Sequence, residues 1–176
     1  MNEHLTTERL RLRPLRESDG VWVARHGYTP GVARMTGSMI APNTVQAAAM
    51  FAMLQPILRR RGLSWHYAIE AGGEPIGACG IVLDGEGRRD LGYWIGEPWW
   101  GRGYASELVA AVVAEHDAVR PDEALHARVF HDNPASLRVL EKSGFVVTGE
   151  EPGYCMQRRG HVDGFRLIRP ASTTLA

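Results

Sequence analysis

The chain has 176 residues, which suits one domain with a real hydrophobic core, and its 44% hydrophobic and 23% charged content are ordinary globular values. A formal net charge of zero leaves no global field to draw it to nucleic acid or acidic membrane, and no apolar run approaches membrane-spanning length, so a soluble, cytoplasmic protein is expected. Cys79 and Cys155, the only cysteines, lie far apart in no metal-ligand spacing and read as reduced thiols, with no metal implied.

Residues 9–15, Arg-Leu-Arg-Leu-Arg-Pro-Leu, alternate charge and leucine like a half-buried strand with its arginines outward. Ser18 or Asp19 is placed to cap a short helix carrying Val21, Trp22 and Ala24. Pro30, Gly31, Gly37 and Pro42 predict a loop over 28–43. Asn43 or Thr44 then opens a second helix, which Pro56 is expected to kink and Gly62 to stop. Arg59, Arg60 and Arg61 close it, either complementing the helix dipole or reaching a phosphate.

Trp65, Tyr67 and Ile69 alternate as a strand, Gly72-Gly73 signals a hairpin, and Pro75–Leu83 returns alongside. The turn Asp84-Gly85-Glu86-Gly87 leads into the most informative stretch, residues 92–108. Leu91, Tyr93 and Ile95 alternate with Gly92, Trp94 and Gly96, and Pro98 ends any ladder. From Ala105 onward, Leu108, Val109, Val112, Val113 and His116 fall on one helical stripe. A strand, a turn with Gly101 and Gly103, and a helix start aim free backbone N–H groups and a positive dipole end at one small volume. Phosphates suit such a place; a plain helix cap is the alternative. The P-loop pattern is absent, and the dinucleotide fingerprint fails at Ser106, which stands in the third glycine position.

Leu125, Ala127 and Val129 alternate with His126, Arg128 and Phe130 as a strand that a right-handed crossover makes parallel to the one before the turn. Asn133 is an N-cap, Pro134 fits the first helical position and Gly144 the C-cap. Phe145–Thr148 and Phe165–Ile168 read as the last strands, with a polar loop over Gly149–Gly160 between them. A single α/β domain with a mixed sheet over residues 1–170 and a frayed tail over 171–176 are expected.

The order is strand, two helices, three hairpin-linked strands, phosphate turn with helix, strand, capped helix, two strands. Together with Gly92-Tyr-Trp-Ile, Pro98-Trp-Trp-Gly-Arg-Gly-Tyr-Ala-Ser-Glu107 and Asn133-Pro-Ala-Ser-Leu-Arg-Val-Leu-Glu-Lys-Ser-Gly-Phe145, it resembles the GNAT superfamily of acyl-CoA-dependent N-acyltransferases. Thr7-Glu-Arg-Leu-Arg-Leu-Arg13 and Gly160-His-Val-Asp163 are similar to the RimJ/RimL branch, which includes acetyltransferases of ribosomal-protein N-termini.

The resemblance implies acetyl-CoA as cosubstrate and a sheet splayed between the strand of Trp94 and Ile95 and the strand from Leu125. It implies that the backbone of Gly101, Arg102, Gly103, Tyr104, Ala105 and Ser106 holds the pyrophosphate. The Arg102 side chain either adds charge there or faces solvent, and the Ser106 hydroxyl either donates or caps. The pantetheine arm passes Trp94 and Ile95, the Ile95 N–H donates to the thioester carbonyl, and Asn133 bonds the arm. Many relatives carry a tyrosine, where this chain has Leu140, to protonate the departing thiolate; Ser136 is the substitute donor, unless it is only a first-turn serine. Trp100 also departs from the glutamine or arginine common at its position.

Amine acylation needs a neutral amine, and Glu150, Glu151, His126, His66 and Asp90 are the candidate bases. Neither cysteine has an activating partner, so the implied route is direct attack in a ternary complex. The acceptor is a protein N-terminus or a small-molecule amine, bound by residues 25–45 and the loop 149–160, with a homodimer left open. Nucleic acid and membrane are not expected as partners. Two alternatives stand: another acyl donor such as succinyl-CoA, marked by cations such as Arg128 or Arg158 at the acyl end, or a non-catalytic CoA-binding regulatory module.

Overall fold

The computed structural model describes residues 1–37 and 45–174. In chain order these form β1 (Leu5–Thr6), β2 (Leu10–Pro14), α1 (Gly20–Trp22), α2 (Pro30–Met35), α3 (Val45–Arg60), β3 (Ser64–Ala71), β4 (Glu74–Leu83) and β5 (Arg89–Ile95). There follow α4 (Tyr104–Val119), β6 (Leu125–Phe130), α5 (Pro134–Lys142), β7 (Val146–Glu150), β8 (Gly153–Cys155), β9 (Gly160–Val162) and β10 (Gly164–Arg169). One mixed sheet runs β1-β2-β3-β4-β5-β6-β10-β7, and β8 and β9 form a separate hairpin. Every neighbouring pair is antiparallel except β5 and β6, which the α4 crossover makes parallel.

Period-two alternation decides which side chains meet which helices. Leu12, Tyr67, Ile69, Ile81, Leu91, Leu125 and Leu167 point to one face, where Leu108, Val109 and Val112 of α4 and Leu140 of α5 complete the main core. On the opposite face α3 lays Ala52 against Leu15 and Ala68. Gly80 lets these layers close: a Cβ there would stand 2.2 Å from the His66 ring that α3 covers with Phe51. The Gly72-Gly73 hairpin forms as expected, with both glycines at positive φ (59° and 86°).

Several expectations change. Arg13 does not face outward: it is buried, bidentate to Asp19 at 2.8 Å and bonded to Glu70 at 2.6 Å. Charge alternation alone did not reveal that a paired arginine can occupy an inward position. The expected loop over 28–43 contains α2. Pro30 begins that helix, and Glu97, from beyond β5, accepts the Gly31 N–H at 2.9 Å in place of a local cap. Asn43 and Thr44 lie outside the described residues, and Pro56 lies inside α3. The expected polar loop over 149–160 carries β8, whose Cys155 is buried and whose Tyr154 meets His161 of β9 edge-on at 5.5 Å. Residues 172–174, in the stretch expected to fray, make a 3₁₀ turn with Thr173 donating to the Pro121 carbonyl at 3.2 Å.

Candidate active site

The parallel pair β5–β6 is in register only at Arg89↔Leu125 and Asp90↔His126. Beyond those residues the strands diverge, although β5 stays paired to β4 up to Ile95 and β6 to β10 up to Phe130. A wedge opens in the middle of the sheet. Its lining follows from hydrogen-bond alternation. Gly96 donates to Ile76 across β4 at 2.8 Å, so the backbone groups of Tyr93 and Ile95 face the other way, into the wedge. The Ile95 carbonyl confirms that direction by accepting the Trp100 indole N–H at 2.6 Å. Asp163 accepts from His131 in the β10 ladder, so Arg128 and Phe130 turn their backbone groups toward the wedge from the opposite side.

The wide end of the wedge meets the start of α4. Gly101 and Gly103 hold φ of 75° and 79°, left-handed values that side-chain-bearing residues adopt only at a cost, and Gly103 is the N-cap. No side chain caps the helix, and its first backbone bond is Glu107 N–H to Gly103 O at 3.2 Å. The N–H groups of Tyr104, Ala105 and Ser106 therefore have no intrahelical acceptor. Among the described residues those of Gly101, Arg102 and Gly103 have no backbone acceptor either. These donors and the positive dipole end make a cradle suited to an anion. The Arg102 guanidinium bonds the Pro98 carbonyl at 3.0 Å.

A clamp that sequence reasoning missed fixes this turn. Glu107, in the first turn of α4, accepts from Thr7 Oγ1, from Arg9 N at 2.8 Å and from Arg9 Nε at 2.6 Å. Arg9 also donates to the Arg102 carbonyl at 2.9 Å and lies over the Tyr104 ring. Several donors to one carboxylate hold it well below the usual range against the opposing pull of burial. The only sequence signal was an acidic residue in a helix's first turn, which is too common to single out.

On the α5 side, Asn133 caps the helix as expected, its Oδ1 accepting the Ser136 N–H at 3.2 Å. The Ser136 hydroxyl lies 2.8 Å from the Tyr93 hydroxyl. Tyr93 thus reaches from β5 to α5 over the wedge, and burial pushes its phenol up to about 12 against the lowering effect of Ser136. Leu140 is in the core. The Trp94 ring lies on the opposite face, 5.6 Å from that of Trp22.

That opposite face carries Asp90, His126, His66 and Glu151 among the candidate bases, whereas Glu150 pairs with Phe165 on the α5 face. Gly92 is bare, with nothing within 4 Å of where a Cβ would stand. Asp90 and His126 face each other across the vertex of the wedge. Burial raises the Asp90 carboxyl and lowers the His126 imidazole, whose Nδ1 is buried with no partner among the described residues. Glu151 is engaged by Arg128 at 3.6 Å and by Arg166. Glu150 bonds the His131 ring at 2.6 Å. His66 is held under α3, its Nδ1 2.9 Å from Gln55 Oε1. Cys79 is in the core, where burial pushes its thiol to about 12, and Cys155 packs against the carbonyls of Ala33, Arg34 and Thr36. Met35, Gly37, Arg128, Phe130, Gly153 and Tyr154 line a small cavity of about 50 Å³ beside β6.

A sheet splayed between two parallel strands, with an anion cradle at its wide end, is the arrangement that the resemblance to acyl-CoA-dependent N-acyltransferases implied. Residues 9–146 match the family described as acetyltransferase (GNAT) domain. The N-acetyltransferase YoaA of Bacillus subtilis (strain 168), itself of uncharacterised role, is 30% identical over 171 residues, 94% of this chain and 97% of its own. The L-amino acid N-acetyltransferase AaaT of Escherichia coli (strain K12) is 27% identical over 101 residues, 55% of this chain and 62% of its own. Among solved structures, the ribosomal L7/L12 α-N-protein acetyltransferase RimL in complex with coenzyme A superposes with a TM-score of 0.81, at 17% identity, over 97% of this chain and 99% of RimL. The microcin C7 self-immunity acetyltransferase MccE, in complex with acetyl-CoA and AMP, gives 0.80 at 12% identity over 93% of each chain. These two share the fold. The chain belongs to the GNAT acetyltransferase family.

Proposed function

We propose that the protein transfers the acetyl group of acetyl-CoA to a primary amine, by direct attack in a ternary complex. The observation that carries this reading is the wedge between β5 and β6, which ends at the uncapped start of α4. Acetyl-CoA supplies a thioester, activated toward amines, and a thiolate leaving group. The N–H groups from Gly101 to Ser106 receive its pyrophosphate. Its arm lies along β5 past Trp94 and Ile95, beside Asn133, as a missing strand. The Ile95 N–H is aimed into the wedge as a donor to the carbonyl, and so is that of Tyr93. Ser136 holds a proton on the α5 face for the departing sulfur.

The amine arrives from the other face, over Gly92. Asp90 and His126 stand there to take its proton through water. The acceptor is a protein N-terminus or a small-molecule α-amine, the two kinds named for RimL and AaaT. The succinyl alternative gains no support from the two arginines that would mark it: Arg158 bonds Asp132 at 3.0 Å and Arg128 faces Glu151.

A thiol-release assay with acetyl-CoA and a panel of N-terminal peptides and free amino acids tests the reading. Release dependent on an amine is expected; stabilisation by CoA with no turnover on any amine would leave a binding module instead. Gly103→Val, placing a branched side chain at φ 79° in the cradle, should weaken CoA binding by tenfold or more, on the order of 1.4 kcal/mol. Unchanged CoA affinity in a folded Gly103→Val protein would remove the turn from the site.

A further inference from the structure

Where many relatives carry a tyrosine on the α5 helix, this chain has Leu140, and a tyrosine hydroxyl reaches the same helix from a different element. Tyr93 comes from β5, on the strand edge that the wedge leaves open, and its hydroxyl is 2.8 Å from Ser136 Oγ. Its ring packs against the main core, so the hydroxyl cannot swing away to solvent without opening that core. The Asn133 cap fixes the backbone of Ser136 at the other end. We propose that Tyr93 and Ser136 act as one proton-donating unit for the leaving thiolate, with Tyr93 as the residue that positions the serine. The inference rests on the reading of the wedge as the acetyl-CoA site.

Two hydroxyls carry two protons and share one hydrogen bond. If Tyr93 donates to Ser136, the serine proton is left over; if Ser136 donates to Tyr93, the phenolic proton is. Either arrangement leaves one O–H without an acceptor inside the pair, free to be given to a sulfur bound in the wedge. A lone Ser136 could turn its proton toward a nearby carbonyl, as helix serines do. The Tyr93 contact gives the serine oxygen a second, fixed partner, so its orientation is not set by that carbonyl alone. On transfer, the sulfur–carbonyl bond breaks, sulfur keeps the electron pair, and the left-over O–H proton passes to it. The nitrogen of the tetrahedral adduct loses one proton, through water, to Asp90 or His126. Solvent carries that proton back to the hydroxyl oxygen once the thiol has left, so the protons balance and no further reactant is needed. The phenol is pushed up to about 12, so Tyr93 stays protonated throughout the range in which a thiol ionises.

Two readouts test this. The first is binding. CoA and desulfo-CoA, which lacks the thiol, are titrated into the native protein, Tyr93→Phe and Ser136→Ala at pH 7 and at about pH 9.5, above the ordinary thiol range near 8.5. A proton donor aimed at sulfur favours the thiolate, so native affinity for CoA should rise with pH relative to desulfo-CoA. Both variants should lose that rise while binding desulfo-CoA normally. The second is kinetic. Each single variant should lower kcat on the order of 10²-fold with KM for acetyl-CoA little changed, and the double variant should lose no more than the worse single. Ser136→Thr, which keeps a hydroxyl, should recover part of the loss. Multiplicative losses in the double variant, or a Tyr93→Phe protein with native kcat and native pH-dependence of CoA binding, overturn the unit. Failure of the native protein to bind either CoA or desulfo-CoA would instead overturn the acetyl-CoA reading on which it rests.

Discussion

At the scale of single residues, the structure separates groups that look alike in sequence. His66 and His126 are both strand histidines, yet their surroundings differ. The Gln55 side-chain oxygen can only accept, so His66 Nδ1 carries a proton toward it. Burial, with the nearby Arg59 charge, lowers the His66 imidazole to about 4 from an ordinary 6.5. Between those values the unfolded chain binds the proton and the folded one does not, so stability rises with pH across that window. The contribution is complete above about pH 6.5 and is lost as pH falls toward 4, by up to about 3 kcal/mol. Urea unfolding at pH 7 and pH 4.5 should show this loss in the native protein, and His66→Gln should flatten it. An unchanged slope in His66→Gln would place the acid sensitivity elsewhere. Ser136 and Tyr93 belong to the same scale: the serine was legible from the capped-helix motif, whereas the tyrosine was not. Its place on an alternating strand predicts a core ring equally well, and only the third dimension brings its hydroxyl to α5.

At the scale of elements, α5 was the most legible, because Asn133, Pro134 and Gly144 are each demanded by backbone geometry rather than by packing. The Asn133 side chain accepts the Ser136 N–H, and Gly144 takes φ 85°. Asn133→Ala should therefore cost about 1 kcal/mol of stability and also loosen Ser136, lowering kcat more than a distant cap substitution of equal stability cost. Thermal unfolding paired with turnover checks this; equal activity at equal stability loss would make Asn133 a cap and nothing more. The elements that escaped sequence reasoning are short and held from far away. The cap of α2 is Glu97, 66 residues downstream of Gly31, and Cys155 in β8 is buried against the carbonyls that end α2. Neither partner is local, so no window of residues around α2 or β8 carries the signal. Arg13 makes the same point: its inward position depends on Glu70, a neighbour only across the β2–β3 pairing.

At the scale of the molecule, the β5–β6 divergence was foreseen from the resemblance and not from periodicity, because a splayed strand and a paired one alternate identically. Its consequence concerns cohesion. Only two register pairs join the five strands on one side to the three on the other. The rest of the joint is the packing of α4 and α5 on one face and, on the other, α2, which bonds Glu97 at one end and packs on Cys155 at the other. The seam is where backbone amides open most readily, since neither Tyr93 nor Ile95 has a strand partner on that side. A cosubstrate arm laid there would complete the ladder. Native-state hydrogen exchange should then show the Tyr93 and Ile95 amides slowed by CoA far more than their β4-paired neighbours Gly92 and Trp94. Uniform slowing along β5 would argue against it. If the contrast is found, the cosubstrate is in effect a ninth strand of the sheet. The enzyme would finish folding each time it loads and come partly unstitched each time it releases product, which ties the pace of turnover to the mechanical compliance of one seam.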